Sequence, residues 1–147
     1  MTSQTPIEIV TGFLDDLARG DLDRALEAVD DHIAYTNVSL PTVNGKHKVA
    51  KIFAPISRPS LGFNYQMINV AADGPVVITE RIDELRVGRL VAQFWVCGRF
   101  EVRDARITVW RDYFDYFDMT KALLRGVVGA VIPAASKPLP AKPAIAG

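Results

Sequence analysis

Cysteine occurs once, at Cys97, and histidine only twice, at His32 and His47. One cysteine excludes an internal disulfide and a paired-cysteine metal site. Cys97 sits in the apolar run "FWVCGRF", where an inert core thiol is the plain expectation. The two histidines flank helical segments and suit surface or core positions better than metal ligation. There is no excess of either charge: Lys and Arg number 17, and so do Asp and Glu. The chain therefore carries no global field that would draw it to nucleic acid or an anionic membrane. No apolar run approaches the roughly 20 residues needed to cross a bilayer. The N-terminus has no basic segment followed by an apolar block, so a cytoplasmic placement is expected. Dinucleotide and phosphate-binding glycine loops, G-x-S-x-G and H-E-x-x-H are also missing, which leaves serine and cysteine hydrolases and zinc proteases poorly supported.

What is present is the material of one globular domain. The chain has 147 residues, 49% of them apolar and 23% charged. Thr5-Pro6-Ile7-Glu8 reads as a capped helix start, followed by Ile7, Val10, Leu14 and Leu17 at helical spacing and Gly20 as terminator. Asp21 can cap a second helix. A short strand, "HIAYTN", leads into a loop, "VSLPTVNG", and "KHKVAKIFAPI" suits a third helix stopped near Pro55 and Pro59. From Phe63 onward, four runs rich in Val, Ile and aromatics are separated by short turns, which predicts an antiparallel meander. "MTKALLRGVVGAV" suits a closing helix. Residues 131–147 hold four of the nine prolines and read as an extended tail after a domain spanning 1–130. Helices followed by long strands give an α+β fold, a curved antiparallel sheet forming a cone around one apolar pocket, with the N-terminal helices packed on it.

Two of the strands carry charge where a core is expected. In "VVITERIDELRV" the odd positions are Val77, Thr79, Arg81, Asp83, Leu85 and Val87; in "RITVWRDYF" the even ones are Thr108, Trp110, Asp112 and Phe114. Half of each set is apolar, and each is read as the inward face, taking Arg81, Asp83 and Asp112 with it. Glu80, Glu84, Arg86, Arg111 and Asp115 fall on the opposite phase, toward solvent or a partner. An arginine between two acids offsets the burial cost by bidentate hydrogen bonding. Such a pair can keep one carboxylate ionised while the other holds a proton, giving a general base and a general acid. A structural salt bridge or an exposed charged face is the alternative reading.

The succession of Tyr35-Thr36-Asn37 before a Leu-Pro loop, Arg81-Ile82-Asp83, and Trp110-Arg111-Asp112-Tyr113-Phe114-Asp115 resembles the limonene-1,2-epoxide hydrolase family over nearly the whole chain except the tail. The resemblance implies a cystatin-like, nuclear-transport-factor-2-like cone, a homodimer, and no metal or organic cofactor. It implies that Asp112 takes a proton from water held with Tyr35 and Asn37, that Asp83 protonates the epoxide oxygen, and that Arg81 joins the two acids. The substrates implied are water and a small hydrophobic epoxide, terpene-, steroid- or lipid-like. Leu40, Phe63, Met67, Phe94, Trp95, Trp110 and Phe114 are candidates to line the pocket. Two rivals share the fold class: a ketosteroid-isomerase-like or polyketide-cyclase-like enzyme, and a non-catalytic lipid-binding module. Asn37-Val38-Ser39 is also formally a glycosylation sequon, a chance match without a secretory signal.

Overall fold

Helix α1 (Pro6–Ala18) begins as its sequence predicts in the computed structural model, which describes residues 3–135 and 138–139. The Thr5 hydroxyl accepts the Glu8 N–H at 3.2 Å and the Glu8 carboxylate accepts the Thr5 N–H at 2.7 Å, closing a capping box. Gly20, at φ 74°, supplies the left-handed turn that lets α2 (Leu22–Glu27) follow at once, capped by Asp21. Strand β1 (Val29–Asn37) comes next. Part of the expected loop after it is a two-residue strand, β2 (Val43–Asn44), paired to β1 through Ala34 and Tyr35. Helix α3 (Lys46–Phe53) then tightens into a 3₁₀ turn at Ala54–Ser57.

The four aliphatic runs form β3 (Leu61–Asp73), β4 (Val76–Val87), β5 (Leu90–Arg103) and β6 (Arg106–Phe114), each antiparallel to the next. The sheet order is β2-β1-β6-β5-β4-β3, so the sheet stays open, with β2 and β3 at its edges. One pairing departs from the antiparallel expectation. Strand β1 lies parallel to β6, with Tyr35 beside Trp110 and Asn37 beside Asp112. The closing helix α4 (Tyr116–Val131) also starts earlier than expected. Asp115 is its N-cap, accepting the N–H groups of Phe117 and Asp118 at 2.9 and 3.0 Å, and is not an outward strand residue. Of the proposed tail, Pro133–Ala135 form a short 3₁₀ turn, and most of the rest lies outside the described residues.

One apolar cluster joins α1 (Ile9, Val10, Phe13, Leu14, Leu17) to Val29, Ile33 and Tyr35 of β1 and to Val77, Phe100, Val102, Ile107 and Trp110 of the meander. A second joins Phe94 and Val96 of β5 to Ala122 of α4, with Phe114 and Met119 against it. Cys97, expected in the core, is instead half-buried on the opposite phase of β5, and burial raises its pKa. Among the described residues no helix is long and apolar enough to cross a membrane.

The second cluster depends on a glycine. A Cβ on Gly126 would stand 2.7 Å from the Val91 carbonyl oxygen, so α4 reaches β5 only because that position has no side chain. Gly126→Ala should lower stability in chemical denaturation. Overpacking costs about 1–3 kcal/mol, while the helix-propensity gain returns only about 1 kcal/mol. A stabilised variant would show that α4 does not approach β5 this closely.

Candidate active site

The inward phase of β4 carries Arg81 and Asp83 into the interior, and β6 carries Asp112 to meet them. All three are buried, Arg81 completely. Arg81 donates from Nε to Asp83 Oδ1 and from Nη2 to Asp83 Oδ2, both at 2.9 Å. The same Nη2 donates to Asp112 Oδ1 at 3.2 Å, and Nη1 donates to Thr79 Oγ1 at 3.0 Å. One guanidinium therefore spans two carboxylates from different strands, and Thr79 holds its far corner.

The parallel pairing of β1 and β6 brings Tyr35 and Asn37 to the same place. They lie two residues apart on one strand face, and the Tyr35 hydroxyl donates to Asn37 Oδ1 at 3.0 Å. Burial first, and the negative charge of Asp112 second, raise the Tyr35 pKa, so its phenol stays protonated. Asp112 itself is pushed up to about 6. Burial is the main cause, opposed by the Arg81 charge and reinforced by Asp83. The Trp110 indole N–H helps hold the Asp112 anion, although it is buried without a partner of normal hydrogen-bond geometry. For Arg81, burial works against the charged form, but the carboxylates of Asp112 and Asp83 more than compensate and its pKa is raised. The guanidinium is a fixed cation.

These groups open onto a cavity of about 220 Å³. Its polar wall includes Tyr35, Asn37, Asp83 and Asp112, and the rest is almost wholly apolar. Leu40, Phe63, Phe94, Trp110 and Phe114 line it as the sequence suggests, but Met67 and Trp95 do not. Met67 pairs with Arg81 across β3 and β4 and packs against the main core. Trp95 follows Phe94 directly in β5, so alternation turns one out when the other faces in. It lies on the outer surface, its indole N–H donating to Glu80 at 3.1 Å. Leu17, Phe53, Ile56, Leu85, Tyr116 and Met119 complete the lining. Tyr116 is tied down by its hydroxyl, which donates to the Val38 carbonyl at 2.5 Å. Periodicity placed Leu17 on a buried helix face, but nothing local marked the α3 and α4 residues as lining.

The expected phase of β4 holds through Leu85, which lines the cavity with Asp83, but burial no longer follows it beyond Asp83. Glu84 is buried, accepting from Arg86 at 2.9 Å and Gln93 at 2.8 Å, while Leu85 and Val87 are exposed. The hydrogen bonds from Arg86 and Gln93 compensate a carboxylate that alternation assigned to solvent. Among the described residues, no three His, Cys, Asp or Glu side chains are grouped as a metal ion would need.

Comparison with known proteins places most of the chain. Residues 4–125 match the model of the limonene-1,2-epoxide hydrolase catalytic domain. The chain is 44% identical over 124 residues to epoxide hydrolase EphG of Mycobacterium tuberculosis (strain ATCC 25618 / H37Rv), covering 84% of this chain and 83% of that protein. A solved M. tuberculosis LEH-like epoxide hydrolase superposes with a TM-score of 0.86 at 42% identity, covering 91% of this chain and 95% of that one. An NTF2-like protein from Burkholderia xenovorans LB400, at 21% identity and a TM-score of 0.64 over 84% of this chain and 98% of that one, shares the fold alone. With a catalytic-domain match over most of its length and close relatives in sequence and structure, the chain belongs to the limonene-1,2-epoxide hydrolase family.

Proposed function

We propose that this protein adds water to a hydrophobic epoxide, giving a vicinal diol in one step without a covalent intermediate. The observation that carries the proposal is the buried Arg81 bridging Asp83 and Asp112 at an otherwise apolar cavity. Two carboxylates and one guanidinium leave a negative charge that one shared proton cancels. Tyr35 and Asn37 break the symmetry, because Asn37 pairs with Asp112 across the strands. A water held by these three groups loses a proton to Asp112 as its oxygen attacks an epoxide carbon. The carbon–oxygen bond of the ring breaks, and the departing oxygen takes the proton carried by Asp83, so no free alkoxide forms. The diol leaves, and transfer of one proton from Asp112 to Asp83 resets the pair. An isomerase would need a single base and neutral donors to an oxyanion. A charged guanidinium between two acids fits the two-proton task better.

Asp83→Asn and Asp112→Asn should each lower the rate of diol formation by about 10²–10⁴-fold with the fold intact. A single turnover of the wild type in ¹⁸O-labelled water should put the label in the diol, whereas unlabelled first-cycle product would require an enzyme ester. The hydrolysis of cyclohexene oxide or styrene oxide serves as the assay.

The pH dependence follows from Asp112, whose carboxyl is pushed up to about 6. A base must be ionised, so kcat/KM should fall as the pH drops through that value; the acid must hold the pair's one remaining proton, so the rate should fall again at a higher pH where that proton is lost. A rate that instead falls as the pH rises through the Asp112 value would exchange the roles of the two acids.

The outer face of the sheet supports a second copy of the chain as partner. Ile78, Trp95 and Tyr113 are each more than a third exposed there, on the phase opposite to the site. Tyr113→Lys should convert a dimer to a monomer in light scattering. A wild type that is monomeric at micromolar concentration would remove the dimer.

A further inference from the structure

Arg81 can reach Asp112 only by crossing β5. The ladder registers place Thr79 of β4 opposite Gly98 of β5, Gly98 opposite Asp112 of β6, and Asp112 opposite Asn37 of β1. Four strands thus contribute one row, Thr79, Gly98, Asp112 and Asn37, and within it only Gly98 has no side chain. Adjacent strands are spaced about 4.8 Å apart, so Thr79 and Asp112 are separated by the width of one strand, with Gly98 between them.

Gly98 is not there for its backbone conformation, since it has no positive φ. Its contribution is space. A Cβ at this position would collide with Arg81 Nη1, stand 2.6 Å from Thr79 Oγ1 and 3.0 Å from Phe100 Cε2. Glycine inside a strand weakens it and marks the close approach of another group. Here the group is the guanidinium. Thr79, fully buried, accepts from Nη1 at 3.0 Å on the edge opposite to Asp83. A guanidinium is rigid and planar, so fixing Nη1 at one corner fixes where Nη2 stands at another. Nη2 is the atom shared by the two acids.

We propose that Gly98 and Thr79 form a dedicated seat for Arg81, and that they are positioning residues for the acid pair. Gly98 leaves the gap in which the guanidinium lies, and Thr79 sets its rotation. The inference deepens the hydrolase reading and rests on it for its catalytic consequence. Its geometric consequence stands separately: without the seat, Nη2 drifts from Asp112, and the buried carboxylate loses part of the charge that stabilises its anion.

Three variants test it: Thr79→Val, which keeps the shape and removes the acceptor; Thr79→Ser, which restores it; and Gly98→Ala, which fills the gap. The readouts are the Asp112 carboxyl titration, followed by NMR of ¹³C-aspartate-labelled protein, and kcat and KM on cyclohexene oxide. Thr79→Val and Gly98→Ala should move the Asp112 titration to higher pH and lower kcat by about 10²-fold, the scale of a 1 Å misplacement, with KM little changed. Thr79→Ser should return both toward wild type. A Thr79→Val protein with wild-type titration and kcat, altered only in melting temperature, would reduce the seat to a packing feature and overturn the proposal. Activity persisting in both Asp83→Asn and Asp112→Asn would sink the acid-pair mechanism instead, and the titration would still decide the seat.

Discussion

The architecture turns on keeping one positive charge out of water. A guanidinium with no solvent contact is tolerable only when its donors are matched and its charge is balanced, because desolvating an ion costs several kcal/mol even after relaxation. Asp83, Asp112 and Thr79 supply the matching atoms, and they come from two strands separated by a third. The registers of β4, β5 and β6 are therefore coupled to the ion cluster. A slip by one residue would turn Arg81 or an acid outward and leave the others buried and unpaired. Removing one member of such a cluster typically costs about 3–5 kcal/mol, so the same contacts that line the cavity floor also bind the sheet together.

Around that cluster the cavity has two kinds of wall. The sheet supplies Tyr35, Asn37, Arg81, Asp83 and Asp112 on rigid, hydrogen-bonded strands, where side-chain positions are well defined. Helices add apolar cover, Leu17 from α1, Phe53 from α3, and Tyr116 and Met119 from α4, beside Phe63, Leu85, Phe94, Trp110 and Phe114 of the strands. Tyr35 and Trp110 sit at the junction, their rings 4.5 Å apart and both packed against Phe53. The aromatic packing that completes the core also holds the Tyr35 hydroxyl against Asn37. Core and site are continuous, and a substitution in one is felt in the other.

Much of this was legible in the sequence, and the reasons differ by residue. Thr5, Pro6 and Glu8 announce the first helix because capping is local chemistry, and Asp21 does the same for the second. Arg81, Asp83 and Asp112 could be placed inside because strand alternation is strict and their phases also carry Val77, Leu85, Trp110 and Phe114. The errors arise where alternation was ignored or where partners are remote. Phe94 and Trp95 are adjacent and cannot share a face; Glu84 keeps its outward phase but is buried because Gln93 and Arg86 cover it. Tyr116 and Met119 enter the cavity only because α4 folds back over β5, which no local pattern encodes. Gly98 carried a readable signal, a glycine in the middle of an aromatic-rich strand, but its meaning required knowing which side chain crosses there.

The parallel alignment of β1 with β6 has a consequence for how the protein comes into being. Arg81 and Asp83 are two residues apart and meet as soon as β4 is extended, whereas Asn37 and Asp112 are partners some 75 residues apart. Closing so large a loop is entropically slow, and non-local pairing of this kind delays folding. During synthesis, Arg81 emerges with one acid and must wait, hydrated, for the second. Desolvation of the guanidinium is thus tied to arrival of the C-terminal strand, and the cavity floor dries at the step that commits the chain to its native topology.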